Sequence, residues 1–262
     1  MILKRTLNTV GGRIAGLTGI YNRQFSSMMT VVAFHRVNDQ QPEDGITCGA
    51  AKFEAFCSFF RKYFRVMSLS EQIAACRQGA DLGGTLAITF DDGYADNFEV
   101  AAPILKSMGL PATFFITTGF IGTRIVAPWD RHLARPPTWM SWEQVQELVS
   151  QGFEIGNHTD THIDLAAADP ETIRAELAIS QRKLADAVGK PVQVFAYPFG
   201  GPKHISDAAR TLVREAGFIC CASCYGGVNS SHPDPFNLRR IGIAEWFASP
   251  DQFGIELVRR TA

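Results

Sequence analysis

The sequence predicts a parallel β/α barrel folded as a single domain, on three observations. Short β-rich runs alternate with longer helical ones from about residue 31 to the end of the chain. Seven or eight such units follow one another with no repeat, low-complexity stretch or linker to divide them. Polar and ionisable residues gather just after the β-rich runs, where barrel enzymes carry their chemistry. The 262-residue length suits one barrel, and the spacing fits a distorted or incomplete barrel better than an open doubly wound sheet.

The elements read in order as follows. Residues 31–37 (VVAFHRV) form the first β-rich run, and a helical stretch follows over Ala50–Tyr63. A short run at 65–69 precedes Ser70, a candidate N-cap for a helix through Cys76. Residues 86–90 (LAITF) are the next strand, and 97–108 the next helix, closed by Gly109 and Pro111. Residues 112–118 (ATFFITT) are a strand, followed by a Pro- and Trp-bearing insertion over 122–139 that is long enough to be a functional loop. Ser141 and Gln144 form a capping box for a helix to residue 151, and 153–157 is a strand. Asp169-Pro170 supplies an N-cap and a proline at the first helical position for a long helix ending at Gly189. Residues 192–197, 218–223 and 238–243 are the last strands, with a helix over 205–216 and another opened by Ser249-Pro250.

Composition narrows the function classes. A formal net charge of −1 argues against nucleic acid, which needs a clustered basic surface. Of the six cysteines, three crowd into Cys220, Cys221 and Cys224, and a lone CxxC makes a weak zinc signal; buried structural thiols in a reduced, cytoplasmic protein are expected. Residues 1–30 form an N-terminal segment, weakly structured or packed on the barrel, and the barrel itself is expected over 31–262. The apolar stretch between Val10 and Ile20 is broken by Gly11, Gly12, Arg13, Gly16 and Gly19, so it neither spans a bilayer nor makes a good secretory core. Membrane association is expected, if at all, only through this segment.

Two motifs carry chemistry. Asp91 and Asp92, adjacent at the end of a strand, repel each other unless a cation or a proton separates their roles. His158 and His162, four apart at another strand end, can turn both imidazoles on one ion. With Asp92 they make a His₂Asp set that leaves positions open for water and substrate, as catalytic metal sites do.

Thr89-Phe90-Asp91-Asp92-Gly93, His158-Thr159-Asp160-Thr161-His162 and Tyr197-Pro198-Phe199-Gly200 resemble, in order and spacing, the first three motifs of the polysaccharide deacetylase family (the NodB-homology or carbohydrate esterase 4 domain). The opening Phe34-His35-Arg36-Val37 is similar to the branch associated with exopolysaccharide and surface-glycan synthesis. The resemblance implies a distorted (β/α)₇ barrel that removes N-acetyl groups from amino sugars with a divalent metal: zinc first, with nickel, cobalt and iron open. It implies Asp91 as general base, Asp92, His158 and His162 as metal ligands, and the backbone N–H of Phe199 at the developing oxyanion. Tyr197, Pro198 and Phe199, together with Trp129 on the insertion, are expected to meet the N-acetylated carbohydrate; Trp139 and Trp142 are further candidates for stacking on sugar.

The sequence departs from the family pattern at three places. Ala196 stands where the third motif has an arginine that orients the base, no counterpart of the fourth motif is found, and Arg239 and Arg240 stand where the fifth has its histidine. We therefore expect Arg240 to pair with Asp91 in place of the lost arginine, and His35, at the end of the first strand, to be the acid that protonates the leaving amine; His204 is the rival candidate. A hydrolase of small non-sugar amides and a non-catalytic metal-containing glycan-binding module are the alternative readings.

Overall fold

The computed structural model describes residues 18–261, with residues 11, 12, 15 and 16 ahead of them. Helix α1 (Ile20–Phe25) precedes strands β1 (Met29–Phe34), β2 (Arg36–Val37) and β3 (Thr47–Cys48). Helix α2 (Ala50–Tyr63), β4 (Arg65–Val66), α3 (Leu69–Arg77) and β5 (Thr85–Phe90) follow, then α4 (Ala102–Ser107) and β6 (Thr113–Ile116). The rest alternates α5 (Trp142–Ser150), β7 (Glu154–Asn157), α6 (Pro170–Val188), β8 (Val194–Ala196), α7 (Asp207–Glu215), β9 (Cys220–Gly226), β10 (Leu238–Gly242) and α8 (Pro250–Thr261).

Seven parallel strands close the barrel in the order β1-β5-β6-β7-β8-β9-β10 and back to β1. Strand β4 is a partial eighth: it pairs with Thr85 and Leu86 of β5, while β6 pairs with Thr89 and Phe90 farther along the same strand. The barrel is thus seven-stranded at its C-terminal end, with β4 covering the start of β5. One register break matters for function. Leu238 of β10 faces Ala222 of β9, but Arg240 faces Gly226, so β9 bulges through Ser223-Cys224-Tyr225.

Side chains pack in two layers. Met29, Val31, Ala87, Phe115, Val194, Ala196, Cys220, Ala222 and Leu238 form a cluster of their own drawn from six of the seven closing strands, the filling of the barrel. The alternate positions face the helices, where Phe34, Phe90 and Phe114 stack in a row (5.6 and 4.7 Å between centroids) with Phe53 of α2 edge-on to Phe34. Truncating such a buried Phe to Ala costs about 3–5 kcal/mol. Tyr21 and Phe25 of α1 are buried against Phe59 and Tyr63 of α2, which ties the described part of the N-terminal segment to the helical layer. Residues 1–10 lie outside the described residues.

The local signals work as their chemistry dictates. The Ser141–Gln144 capping box opens α5, Asp169 caps α6 through the Thr172 N–H, and Gly189 ends it at φ 78°. Three expectations need correction. The cap of α3 is Ser68, reciprocally bonded with Glu71, and Ser70 lies inside the helix. The first β-rich run divides at His35 into β1 and β2. The helix expected from 97 begins as a π-helical turn, Asn97–Ala101, because Pro103 has no N–H to return to the carbonyl of Glu99. All six cysteines are free thiols. Among the described residues no helix is long and apolar enough to cross a membrane.

Candidate active site

The two-residue period of the strands delivers the site. Side chains at alternate positions share a face, so Val31 is followed by Ala33 and His35, Ala87 by Thr89 and Asp91, and Leu238 by Arg240 and Gly242. His35, Asp91 and Gly242 accordingly line one cleft of about 390 Å³ at the C-terminal end of the barrel, joined there by Asp92, His158 and His162 from the loops after β5 and β7 and by Cys224 from the β9 bulge.

Backbone strain concentrates there. Among the described residues four non-glycine residues have positive φ: Asp92 (76°), Thr159 (66°), His162 (59°) and Phe199 (61°). All lie on the loops that follow β5, β7 and β8. This left-handed conformation costs an L-residue about 1–2 kcal/mol, and at Asp92 it turns the carboxylate into the same cleft as its neighbour Asp91. The histidine loop is held from behind by Glu176 of α6, whose Oε2 accepts the Asp160 and Thr161 N–H groups at 2.9 Å and whose Oε1 accepts the Thr161 hydroxyl. Gly200 permits the third loop: a Cβ there would lie 2.4 Å from Cys224 Cβ, at φ 56°.

Asp92 Oδ1 lies 3.4 Å from His158 Nε2 and 3.3 Å from His162 Nε2, and the three ligand atoms fall within 4.8 Å of one another. This oxygen is buried yet accepts no hydrogen bond. A buried carboxylate oxygen without a donor is costly; flanked by two imidazole nitrogens, it fits a divalent cation. His158 is aimed by its other nitrogen, Nδ1, which lies 2.8 Å from the Ala196 carbonyl. Burial raises the Asp92 carboxyl, but the His158 and His162 imidazoles outweigh it and hold the group well below the ordinary carboxylate range.

Asp91, 2% exposed, is gripped by Arg240, itself 1% exposed. Nη1 donates to Oδ1 and Nη2 to Oδ2, both at 2.7 Å. Arg240 is anchored in turn: Nε donates to the Ser223 carbonyl at 2.5 Å and Nη1 to the Thr89 hydroxyl at 3.0 Å. The β9 bulge explains this anchor, since it takes Ser223 out of the regular ladder with β10. Burial raises the Asp91 carboxyl, but Arg240 and His158 pull it back below its usual value. His35 Nε2 stands 3.8 Å from Asp91 Oδ2. Burial lowers the His35 imidazole more than the neighbouring aspartates raise it.

Trp129, Tyr197 and Phe199 line the cleft; Pro198 between the last two is buried and does not. Trp139 is stacked between Tyr94 and Phe120 at 4.5 Å from each, and Trp142 packs on the core from α5, so neither reaches the cleft. His204 pairs with Asp164 (Nδ1 to Oδ2, 2.5 Å) outside the cleft lining. Two cleft residues had no signal in the sequence. Trp246 stands 42% exposed, its ring close to Gly45 and Gly242, and Cys224 reaches the wall through the β9 bulge.

The polysaccharide deacetylase family matches residues 79–220, just over half of the chain. The chain belongs to the polysaccharide deacetylase family. The matched region holds Asp91, Asp92, His158, His162 and Phe199, whereas His35 and Arg240 lie outside it. The Bacillus subtilis protein YxkH, whose name assigns it to the polysaccharide deacetylases, is 33% identical over 157 residues, 60% of this chain and 50% of that one. The chain therefore spans about half the length of YxkH. A chitooligosaccharide deacetylase of Bradyrhizobium sp. (strain ANU 289) is 31% identical over 176 residues, 65% of this chain and 67% of that one. Among solved structures, the deacetylase PplD of Streptococcus pyogenes in complex with acetate has a TM-score of 0.72 at 20% identity, covering 86% of this chain and 96% of that one. That likeness shows the shared (β/α)₇ barrel.

Proposed function

We propose that the protein is a metal-dependent hydrolase that removes an N-acetyl group from an amino sugar in a glycan or glycan precursor. One observation carries the reading: a buried, unpartnered Asp92 oxygen between two imidazole Nε2 atoms, beside a second carboxylate, Asp91, committed to Arg240. In this reading Asp92, His158 and His162 hold the cation, zinc by preference for an imidazole-rich site with open positions. When bound, such an ion supplies a water of lowered pKa and polarises the amide carbonyl.

The protein's own groups do the remaining work. Asp91, kept ionised and fixed in orientation by Arg240, takes the proton of the attacking water at a carboxylate oxygen. The Phe199 N–H donates to the oxyanion as the carbonyl becomes tetrahedral. His35, next to Asp91, delivers a proton to the nitrogen that leaves as the sugar amine. Trp129 and Phe199 present aromatic surface on which a pyranose ring can lie, which favours a carbohydrate over a small cyclic amide.

The test is acetate release from N-acetylated chitooligosaccharides by chelator-stripped protein with zinc restored, run beside small cyclic amides. Zinc-dependent acetate release from the sugars alone is expected. Turnover of the cyclic amides in preference to the sugars, or tight glycan binding with no acetate formed, would overturn the proposal.

A further inference from the structure

Two imidazoles converge on one ion only if both ring planes are fixed, and ligating histidines ordinarily achieve this with a hydrogen bond from the other ring nitrogen. His158 has that bond, to the Ala196 carbonyl. His162 does not: its buried Nδ1 has no hydrogen-bond partner among the described residues. Its ring is met instead by two aromatic side chains, Trp129 with centroids 4.6 Å apart and Phe199 with centroids 4.7 Å apart. The Trp129 and Phe199 centroids are themselves 6.3 Å apart, so the rings reach His162 from different directions and form a corner.

Trp129 sits on an insertion, and a loop residue can orient a ligand only if it is itself held. A buried chain of hydrogen bonds holds it. Trp129 Nε1 donates to the Tyr94 hydroxyl at 2.7 Å, and that hydroxyl donates to Asp130 Oδ2 at 2.7 Å. Asp130 Oδ1 accepts from Arg36 Nη1 at 2.6 Å, and Arg36 Nη2 reaches Asp44 Oδ2 at 2.6 Å. Tyr94, Asp130 and Arg36 are each at most 1% exposed. An indole N–H can only donate and a carboxylate can only accept, so every bond in the chain has one permitted direction. Arg36 Nε has no partner among the described residues, but both of its Nη groups, the Tyr94 hydroxyl and the Trp129 indole N–H are bonded, and such buried bonds at low dielectric restrain the side chains they join.

We infer that Tyr94, Asp130 and Arg36 are positioning residues that lock Trp129 against His162, so that an aromatic corner orients this ligand where a hydrogen bond would ordinarily do so. The inference rests on the reading of Asp92, His158 and His162 as a metal site, and it extends the site to residues on three separate segments of chain.

Zinc affinity measured by chelator competition on the full chain tests it, with unfolding of the metal-free protein followed in parallel. Loss of an orienting partner typically weakens metal binding by about 10- to 100-fold. Trp129→Ala is expected to fall in that range. Tyr94→Phe, which keeps the buried ring and removes only the hydroxyl, should weaken zinc several-fold, and Trp129→Phe should match it. In the Trp129→Ala background, Tyr94→Phe should add nothing, because its effect runs through the indole. The visible bands of the cobalt-loaded protein should change in Tyr94→Phe. Zinc affinity within twofold of wild type in both Tyr94→Phe and Trp129→Phe would overturn the inference, as would an undiminished Tyr94→Phe effect in the Trp129→Ala background. Should Trp129→Ala not fold, the two phenylalanine variants carry the same test. Weakened zinc binding in the variants of a protein that releases no acetate would support the corner while refuting the deacetylase reading. A wild-type chain that binds no zinc would overturn both.

Discussion

Arg240 and Asp91, 149 residues apart in the chain, form a two-pronged ion pair in which each guanidinium Nη meets a different carboxylate oxygen. The pair is buried on both sides, so neither charge has water to fall back on. Removing one partner strands the other, which typically costs about 3–5 kcal/mol. It also frees the carboxylate to rotate, and a small misplacement of a catalytic group can cost about a hundredfold in rate.

Arg240→Lys separates these effects. The charge is kept and the planar fork is lost. We expect turnover to fall by about ten- to a hundredfold with zinc affinity little changed, and Arg240→Met to lower stability in denaturant melts as well. Wild-type turnover in Arg240→Lys would show that the fork does not orient the base.

His158→Ala and His162→Ala should each lose most bound zinc while the far-ultraviolet spectrum stays that of the folded barrel, because the filling of the barrel lies below the site. Asp91→Asn should keep its metal and lose roughly a hundredfold or more in turnover, the usual reach of a general base. Metal analysis together with steady-state rates checks all three. Full zinc occupancy in both histidine variants would remove them from the ligand set.

His35 is tested by its leaving group. A sugar amine must depart protonated, whereas nitrophenolate departs as a stable anion. His35→Ala should therefore slow N-acetylated sugars by about two orders of magnitude and leave 4-nitrophenyl acetate hydrolysis nearly intact. Equal losses on both substrates would assign His35 a structural role.

Glu176→Ala leaves the Asp160 and Thr161 N–H groups without their acceptor, a cost of about 1–3 kcal/mol for each that stays buried. The histidine loop should loosen, with zinc affinity reduced and exchange of those two amides accelerated. Unchanged exchange at both amides would show that the loop holds itself.

Much of the site is legible in the sequence alone. Strand ends fall where β-rich runs meet ionisable residues, so Asp91, Asp92, His158, His162 and His35 can be placed on one face by counting. Arg240 is suggested by the family resemblance, in which Ala196 stands where the third motif has an arginine. What escapes is what depends on chain segments meeting in space. Trp246 carries no periodic signal, and only the approach of its ring to Gly45 and Gly242 brings it to the cleft. Cys224 reads as the end of a CxxC, and the register break between β9 and β10 decides where it points. Tyr94 and Asp130 draw no notice in the sequence, and only the fold shows that Arg36 joins them to Trp129. Pro198 belongs to a motif and lies beneath it.

The four left-handed residues at the rim, Asp92, Thr159, His162 and Phe199, have a bearing on how the protein can be improved. Glycine at any of them would relieve about 1–2 kcal/mol of backbone strain, offset in part by about 0.4–1 kcal/mol of added freedom in the unfolded chain; with its ring half exposed, Phe199→Gly is expected to melt slightly later than the parent. A library sorted by heat resistance alone would drift toward these same positions, which include two of the proposed metal ligands, Asp92 and His162. Winners changed at Asp92 or His162 would outlast the parent on heating and lose the cation that the proposed chemistry needs; selection for robustness and selection for turnover pull on the same few torsions in opposite directions.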